Sequence, residues 1–372
     1  MKDLMGIINL SESEEDIKEL TYNRPIASIP IAGRYRVIDF VLSNMVNAGI
    51  ENVSIFTQGK SRSLMDHIKT GKDWDLDRKL DGLFILNPQM NTSNMSITNG
   101  DIDNFENHMV YLERSRQNYV ILTRSYMICN IDYSDVYRYH KESGADITIV
   151  YKKVIKDSNR FINCDTLNLD KDGKVISLGK NIGNDKANNI SLEMYVMKKE
   201  LLLDIIKNSI TKGDHRYLKQ SIFSNIDKFY VNSYKYNGYL ACINSIRNYY
   251  KANMELLYEN IYKKLFYDNG LIYTRIKDEP PTIYSEESNV YNSLVANGCV
   301  IEGTVKNSII FRGVKIKKNT VVENSIIMQK SEIDEGVKLK NVILDKNVVI
   351  TKNNSLQGYK HNPLVIKKNE KI

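Results

Sequence analysis

No run of about 18 or more apolar residues occurs in the 372-residue sequence, so no membrane-crossing helix is expected. Cysteine is scarce. Cys129, Cys164, Cys242 and Cys299 stand far apart, without the close pairing of a zinc site, and reduced thiols in a cytoplasmic protein are the simplest expectation. The five histidines, His67, His108, His140, His215 and His361, follow no metal-ligand motif. His67, beside Asp66 on a helix that leads to Lys69 and Lys72, is expected at the surface or near a phosphate rather than as a base. A dense basic tract is missing too. The net charge is +7, but the bases are scattered, as in KKVIK (152–156) and VKIKK (314–318). That sets nucleic acid aside and favours anionic metabolites as partners. The amino terminus, MKDLMGIINLSESEEDIKEL, turns acidic too early for a signal peptide.

What is present in the first half is alternation. LMGIINL (4–10) reads as a buried parallel strand. IDFVLSNMVNAGI (38–50) reads as a helix with Gly49 closing it. NVSIFTQ (52–58) is a strand, RSLMDHIKTG (62–71) a helix, and DNFENHMVYLERS (103–115) a helix before the strand YVIL (119–122). SDVYRYHKESG (134–144) and ADITIVYKKV (145–154) continue the order. This is the grammar of a doubly wound α/β sheet, whose ligands sit at the carboxyl ends of the strands. FINCDTLNLDKDGKVISLG reads as a hairpin turning at DKDGK. SIRNYYKANMELLYENIYKKLF (245–266) reads as one long helix with tyrosines 249, 250, 258 and 262 as packing residues. After residue 283 the pattern changes. NSLV, NSII, NSII and NVIL recur, with aliphatic residues alternating with polar turns on a period of about six. A β-helix follows, with Val300, Val305, Ile309, Val314, Ile316, Val321 and Ile326 as its expected inward rows and its exposed edges as assembly surface.

IPIAGRYRVIDFVLSNMVNAGIENV (29–53), FTQGKS (56–61) and NSLVANGCVIEGTVKNSIIFRGV (292–314) together resemble bacterial glucose-1-phosphate adenylyltransferase, the ADP-glucose pyrophosphorylase of glycogen and starch synthesis. The resemblance runs from about residue 3 to about residue 350. It implies a Rossmann-like, GT-A-like nucleotidyltransferase domain with a mixed sheet at 1–270, and a left-handed parallel β-helix of hexapeptide type at 271–372. It also implies tetrameric assembly and allosteric control.

The departures bear on chemistry. Where active members carry a glycine-rich GGxGTRL phosphate loop, this chain has MGIINLSESEEDIKEL, with Gly6 but no glycine pair after it. Without glycine's freedom the backbone amides do not close on phosphates, and Glu12, Glu14, Glu15 and Asp16 repel a triphosphate. The family's KP motif becomes RPIAS (24–28), with Ile26 in the lysine's place. Aligned on Ile131-Asp132-Tyr133, the metal-holding aspartate of the family's LAGDHIYKMDY falls at Tyr126. The second, in a motif resembling WRDVGTLDAYWEANM, falls at Cys242 in LACINSIRNYYKANM (240–254). Tyrosine and reduced cysteine are poor magnesium ligands. The family's GTADA segment becomes GDIDN (100–104), whose Asp101 and Asp103 are expected as helix-start acids.

Three positions are retained as possible phosphate contacts. Lys180 in SLGKN matches the lysine of the family's EKP motif. Arg34 and Arg36 in AGRYR match positions near its regulatory sugar-phosphate site, and residues i and i+2 of an extended segment can face one side. The resemblance therefore implies the non-catalytic regulatory subunit that accompanies a catalytic one in low-GC Gram-positive bacteria. Such a chain binds no catalytic cofactor of its own; magnesium and ATP belong to the catalytic partner. It is expected as a heterotetramer with that partner and as a homo-oligomer alone. An active transferase with unusual ligands, and a different activity on sugar phosphates, are the alternatives.

Overall fold

The apolar run at 4–10 does become a fully buried strand. The computed structural model describes residues 1–88, 100–155, 158–183, 187–213 and 216–372; His215 lies outside them. The chain divides into two compact units. The first comprises Met1–Glu12, Phe40–Leu240 and Asn269–Ile272, and the second Ser13–Asp39, Ala241–Asp268 and Tyr273–Ile372. A cut at 270/271 therefore separates 13–39 and 241–268 from the β-helix with which they pack.

The first unit is built on one nine-stranded sheet. Its strands are β1 (Leu4–Asn9), β2 (Asn52–Phe56), β3 (Gly82–Leu86), β4 (Tyr119–Thr123), β5 (Ile147–Val154), β6 (Asp165–Leu169), β7 (Val175–Lys180), β8 (Asn188–Lys198) and β9 (Val231–Lys235). The spatial order is β7-β6-β8-β4-β1-β2-β3, with β5 on β8 and β9 on β5. Strands β4, β1, β2 and β3 run parallel, whereas β8 is antiparallel to β4 and β5. The chain winds outward from β1 through β2 and β3, then returns to β4 on the other side of β1. The switch point, where open α/β sheets hold ligands, is the carboxyl end of the β1–β4 pair. Met5, Ile7, Val120, Leu122, Ile147, Ile149 and Met197 form the buried core beside it. Gly6 is there for packing: a Cβ would stand 2.5 Å from the Met45 sulfur.

Local signals were mostly followed. Gly49 (φ +74°) and Gly144 (φ +63°) adopt the left-handed conformation at the ends of helices Val37–Asn47 and Tyr133–Ser143. The DKDGK hairpin closes as read, with the Asp170 carboxylate accepting from the Asp172 and Lys174 amides. The 103–115 helix instead breaks at His108 into Ile102–Asn107 and Met109–Arg114. The 245–266 helix breaks into Ile246–Glu255 and Glu259–Phe266. Tyr249 and Tyr250 are buried, but Tyr258 stands exposed at the break. His67 is buried edge-on against Trp74 rather than at the surface.

In the second unit, three parallel sheets of five short strands stack coil on coil. Ile283 pairs with Val300, Val300 with Lys315, Lys315 with Glu332 and Glu332 with Val349. The recurring NS dipeptide has a physical cause. Asn292, Asn307, Asn324 and Asn341 turn one corner with φ between +43° and +53°, a conformation asparagine tolerates. The following serines form a ladder: Ser308 N donates to Ser293 Oγ, Ser325 N to Ser308 Oγ, and Val342 N to Ser325 Oγ.

The inward rows need correction. Val305, Val314 and Ile316 are inside, but Val300 and Val321 are only half-buried, and their neighbours Ile301 and Val322 fill the interior. Ile309 and Ile326 alternate with the interior Ile310 and Ile327, yet are themselves fully buried. That outer face is therefore covered. Segments 13–39 and 241–268 touch the coil where Arg24 pairs with Asp345 at 2.7 Å and where the Tyr250 hydroxyl donates to the Asn324 carbonyl. The last coil is closed by a bridge between Val349 and Lys371. At the first coil, Ile283, Tyr284 and Tyr291 remain exposed.

Candidate functional site

The switch point is filled by the chain's own side chains. Arg124, immediately after β4, is the centre. It pairs with Glu193 (3.3 Å) and Asp101 (3.5 Å) and donates to the Ser11 hydroxyl. Asp101 is buried and also accepts from Asn9 Nδ2 at 2.9 Å and the Leu218 amide at 2.7 Å. It makes no cap hydrogen bond to its helix, so it serves the ion cluster rather than the helix start. Glu12 turns its carboxylate inward, accepting from the Ser125 amide (2.7 Å) and hydroxyl (2.8 Å). Of the four acids expected to form a repelling loop, this one is part of a plug.

Tyr126 lies between β4 and the short strand Met127–Cys129, buried, and its hydroxyl donates to Glu193. Glu193 sits in β8 at a break in register between Ser191 and Tyr195, with φ +52°. A left-handed glutamate inside a strand is strained by about 1–2 kcal/mol. The bulge turns its carboxylate toward Arg124 and Tyr126.

Electrostatics follow from this packing. Burial opposes ionisation of Glu193, but Arg124, Lys219 and the Tyr126 hydroxyl outweigh it and hold its pKa below the usual range. Burial dominates at Glu12 and Asp101 and raises both, against the pull of Arg124. The Arg124 guanidinium is stabilised by Glu193, Asp101 and Glu12 in spite of burial. The space left among Asn9, Asp101, Arg124, Glu193, Tyr195 and Lys219 is about 10 Å³, room for roughly one water. That space holds neither a triphosphate nor a sugar. Nor do the residues fit magnesium: the carboxylates are engaged by arginine, serine and tyrosine. Among the described residues no set of three His, Cys, Asp or Glu side chains is placed to hold a metal.

Cys242 is buried at the end of strand Leu240–Cys242. Asp132 caps helix Tyr133–Ser143 through the Ser134 amide. Ile26 is core, 1 % exposed; the base of RPIAS is Arg24, buried and paired with Asp345. Lys180 is exposed at the end of β7, opposite Asp165, whose carboxylate is taken by Lys219. Arg34 and Arg36 follow a hairpin turn in which Ala32 and Gly33 both have positive φ. Arg34 is exposed, lying over the Tyr35 ring at 4.9 Å. Arg36 is half-buried, and its charge, with those of Arg24 and Lys277, bears on Lys346. Arg124, Glu193, Arg24, Lys277 and Lys346 went unread in the sequence as site residues.

Comparison with known proteins shows the family. Residues 17–238 match the nucleotidyl transferase family, and residues 281–361 match the GlmU-like C-terminal hexapeptide family. The glycogen biosynthesis protein GlgD of Bacillus subtilis (strain 168) is 38 % identical over 98 % of this chain and 96 % of its own length. The chain belongs to the GlgD family. The GlgD of Geobacillus stearothermophilus is 40 % identical over 86 % of this chain and 82 % of its own. The glucose-1-phosphate adenylyltransferase of Fervidobacterium nodosum is 32 % identical over 91 % of this chain and 81 % of its own. A GlgD family member with a plugged switch point has a simple test of the plug. Tyr126→Phe removes a hydrogen bond to a buried carboxylate and is expected to lose about 1.5–3 kcal/mol in urea unfolding. A neutral result would mean that Tyr126 merely fills space.

Proposed function

We propose that the chain is a non-catalytic regulatory subunit. It associates with a catalytic glucose-1-phosphate adenylyltransferase in glycogen synthesis and modulates the formation of ADP-glucose and diphosphate from ATP and glucose 1-phosphate. The observation that carries this reading is the Arg124–Glu193–Asp101–Glu12 cluster standing where substrate would be held. Magnesium and ATP then act at the partner. The active-transferase alternative would need an open switch point and carboxylates available to a metal. The reading as another sugar-phosphate activity would need a new ionisable group facing an open cleft.

Assembly as a heterotetramer fits the apolar open coil at Ile283, Tyr284 and Tyr291, which presents strand edges another chain can cover. A cytoplasmic setting fits four buried thiols, of which Cys129 is pushed up to about 12 by burial and is unreactive. No helix among the described residues is long and apolar enough to cross a membrane.

Sensing falls to the second unit, where Arg36 stands with Lys277 and Lys346, and Arg34 with Arg312. Phosphate-bearing effectors are the chemistry this charge fits. Arg36→Ala in this chain alone, in complex with the catalytic subunit, tests it. One charge-assisted phosphate contact is worth about 1.5–3 kcal/mol, so the effector midpoint should shift by tenfold or more, with assembly intact. An unchanged titration would place sensing on the catalytic subunit.

A further inference from the structure

We infer that a hollow at the amino ends of the parallel strands β4, β1, β2 and β3 binds a small phosphate monoester. The hollow lies at the end of the sheet opposite the plugged switch point, where an open α/β sheet by itself requires no ligand. Its volume is about 520 Å³, within the range of small-molecule sites. Lys2 comes to it from just before β1, Glu51 from just before β2, residues 78–81 from just before β3, and Arg116 and Gln117 from just before β4. These segments meet at one edge because the four strands are parallel neighbours.

Gln117 carries the inference. It is 3 % exposed, and a chain of hydrogen bonds fixes which way its amide faces. The Tyr111 hydroxyl donates to Asn52 Oδ1 at 2.7 Å, and Asn52 Nδ2 donates to Gln117 Oε1 at 2.8 Å. Gln117 Nε2 is left in the wall of the hollow, with no acceptor among the described residues. A buried amide ordinarily has a partner for its N–H groups. The partner missing here is an acceptor that sits in the hollow.

The surrounding charges give the acceptor its chemistry. Arg78 is engaged by Glu51 at 3.0 Å and by Asp75 at 2.6 Å. Arg116 reaches Asp81 at 2.9 Å through Nη2, which leaves its Nε and Nη1 free to donate. The side chains of Lys2 and Lys79 are exposed at the rim and make no ion pair or hydrogen bond among the described residues. Two unpaired ammoniums beside an amide donor suit a compact dianion. A phosphate monoester carries a charge of about −1.5 to −2 at neutral pH, with three acceptor oxygens on one phosphorus. Glu51 and Asp81 each give one carboxylate oxygen to arginine. The second oxygen of each is left to accept from hydroxyls on the group that carries the phosphate.

Glycerol 3-phosphate is the probe. Lysine acetylation of the full chain, followed residue by residue by mass spectrometry, reads this hollow apart from any anion bound elsewhere. Lys2 and Lys79 should be protected, with half-protection at about 1 mM or less. Labelling of both should slow about tenfold when the probe is well above that concentration. Lys171, exposed on the DKDGK turn, should label at an unchanged rate. Inorganic phosphate and succinate should each need about tenfold more for the same protection. Gln117→Glu keeps the acceptor for Asn52 but replaces the N–H donor with an oxygen, and should abolish protection of both lysines. Lys79→Glu changes an exposed side chain, keeps the fold, and should abolish protection of Lys2. Equal protection by inorganic phosphate overturns recognition of the ester, and equal protection by succinate overturns recognition of phosphate. No protection by any of the three, equal slowing at Lys171, or full protection in both variants overturns the site itself.

Discussion

Arg124→Met is expected to destabilise the first unit by about 3–5 kcal/mol, the usual cost of leaving a buried ion cluster without one partner. Two buried carboxylates, Asp101 and Glu193, and the inward Glu12 lose their common cation. Cluster geometry makes the loss pH-dependent. In the parent chain Glu12 and Asp101 already have raised pKa values, and without Arg124 they rise further. An acid whose folded pKa exceeds its unfolded one stabilises the fold when protonated. That stability is full below the unfolded pKa and fades as pH rises through the folded one. The defect of Arg124→Met should therefore be larger at pH 8 than at pH 5. Adding Glu193→Gln should recover part of it, since one of the orphaned charges is gone. Urea unfolding at the two pH values measures all three. A loss below about 1 kcal/mol, typical of solvated ion pairs, would mean that the cluster is not a plug.

The double change Tyr126→Asp, Cys242→Asp should not produce a working transferase. It returns two carboxylates of the kind a metal needs. It leaves Arg124, Glu193 and Glu12 in the same space and supplies no phosphate-cradling glycine loop. Tyr126→Asp also deletes the hydroxyl that donates to Glu193 and places a further acid beside three others. Catalytic groups that act as a unit are not restored piecemeal. Without metal and phosphate positioning, phosphoryl-transfer rates fall by roughly 10³ or more, and the double variant should stay at least that far below a catalytic relative. Turnover near that of a catalytic relative would show that the plug yields to substrate.

The β-helix was legible because it is repetitive. Each NS corner solves the same local problem, a left-handed turn and an amide to satisfy, so the solution recurs in the letters. The parallel half of the sheet was legible from LMGIINL and YVIL for the same reason: burial on both faces leaves a plain apolar run. Its rows were harder. In NSII one isoleucine fills the coil and the next is covered from outside, and both positions look alike in sequence. The plug was half legible. Tyr126 and the acids of SESEED showed that the metal and phosphate parts were altered. They could not show that Glu12 turns inward, because that depends on Ser125 at the end of the neighbouring strand, 113 residues on in sequence. Glu193 gave no signal at all. Within LEMYVM it reads as a solvent-facing strand residue, and only the bulge and its positive φ reverse it.

ADP-glucose synthesis measured for this chain alone, for a catalytic glucose-1-phosphate adenylyltransferase from the same cell alone, and for the two mixed tests the account most directly. The predicted result is no turnover from this chain, and a mixture whose rate or effector response differs from that of the catalytic chain by more than dilution explains. Turnover by this chain alone, or a mixture indistinguishable from the catalytic chain, would contradict it.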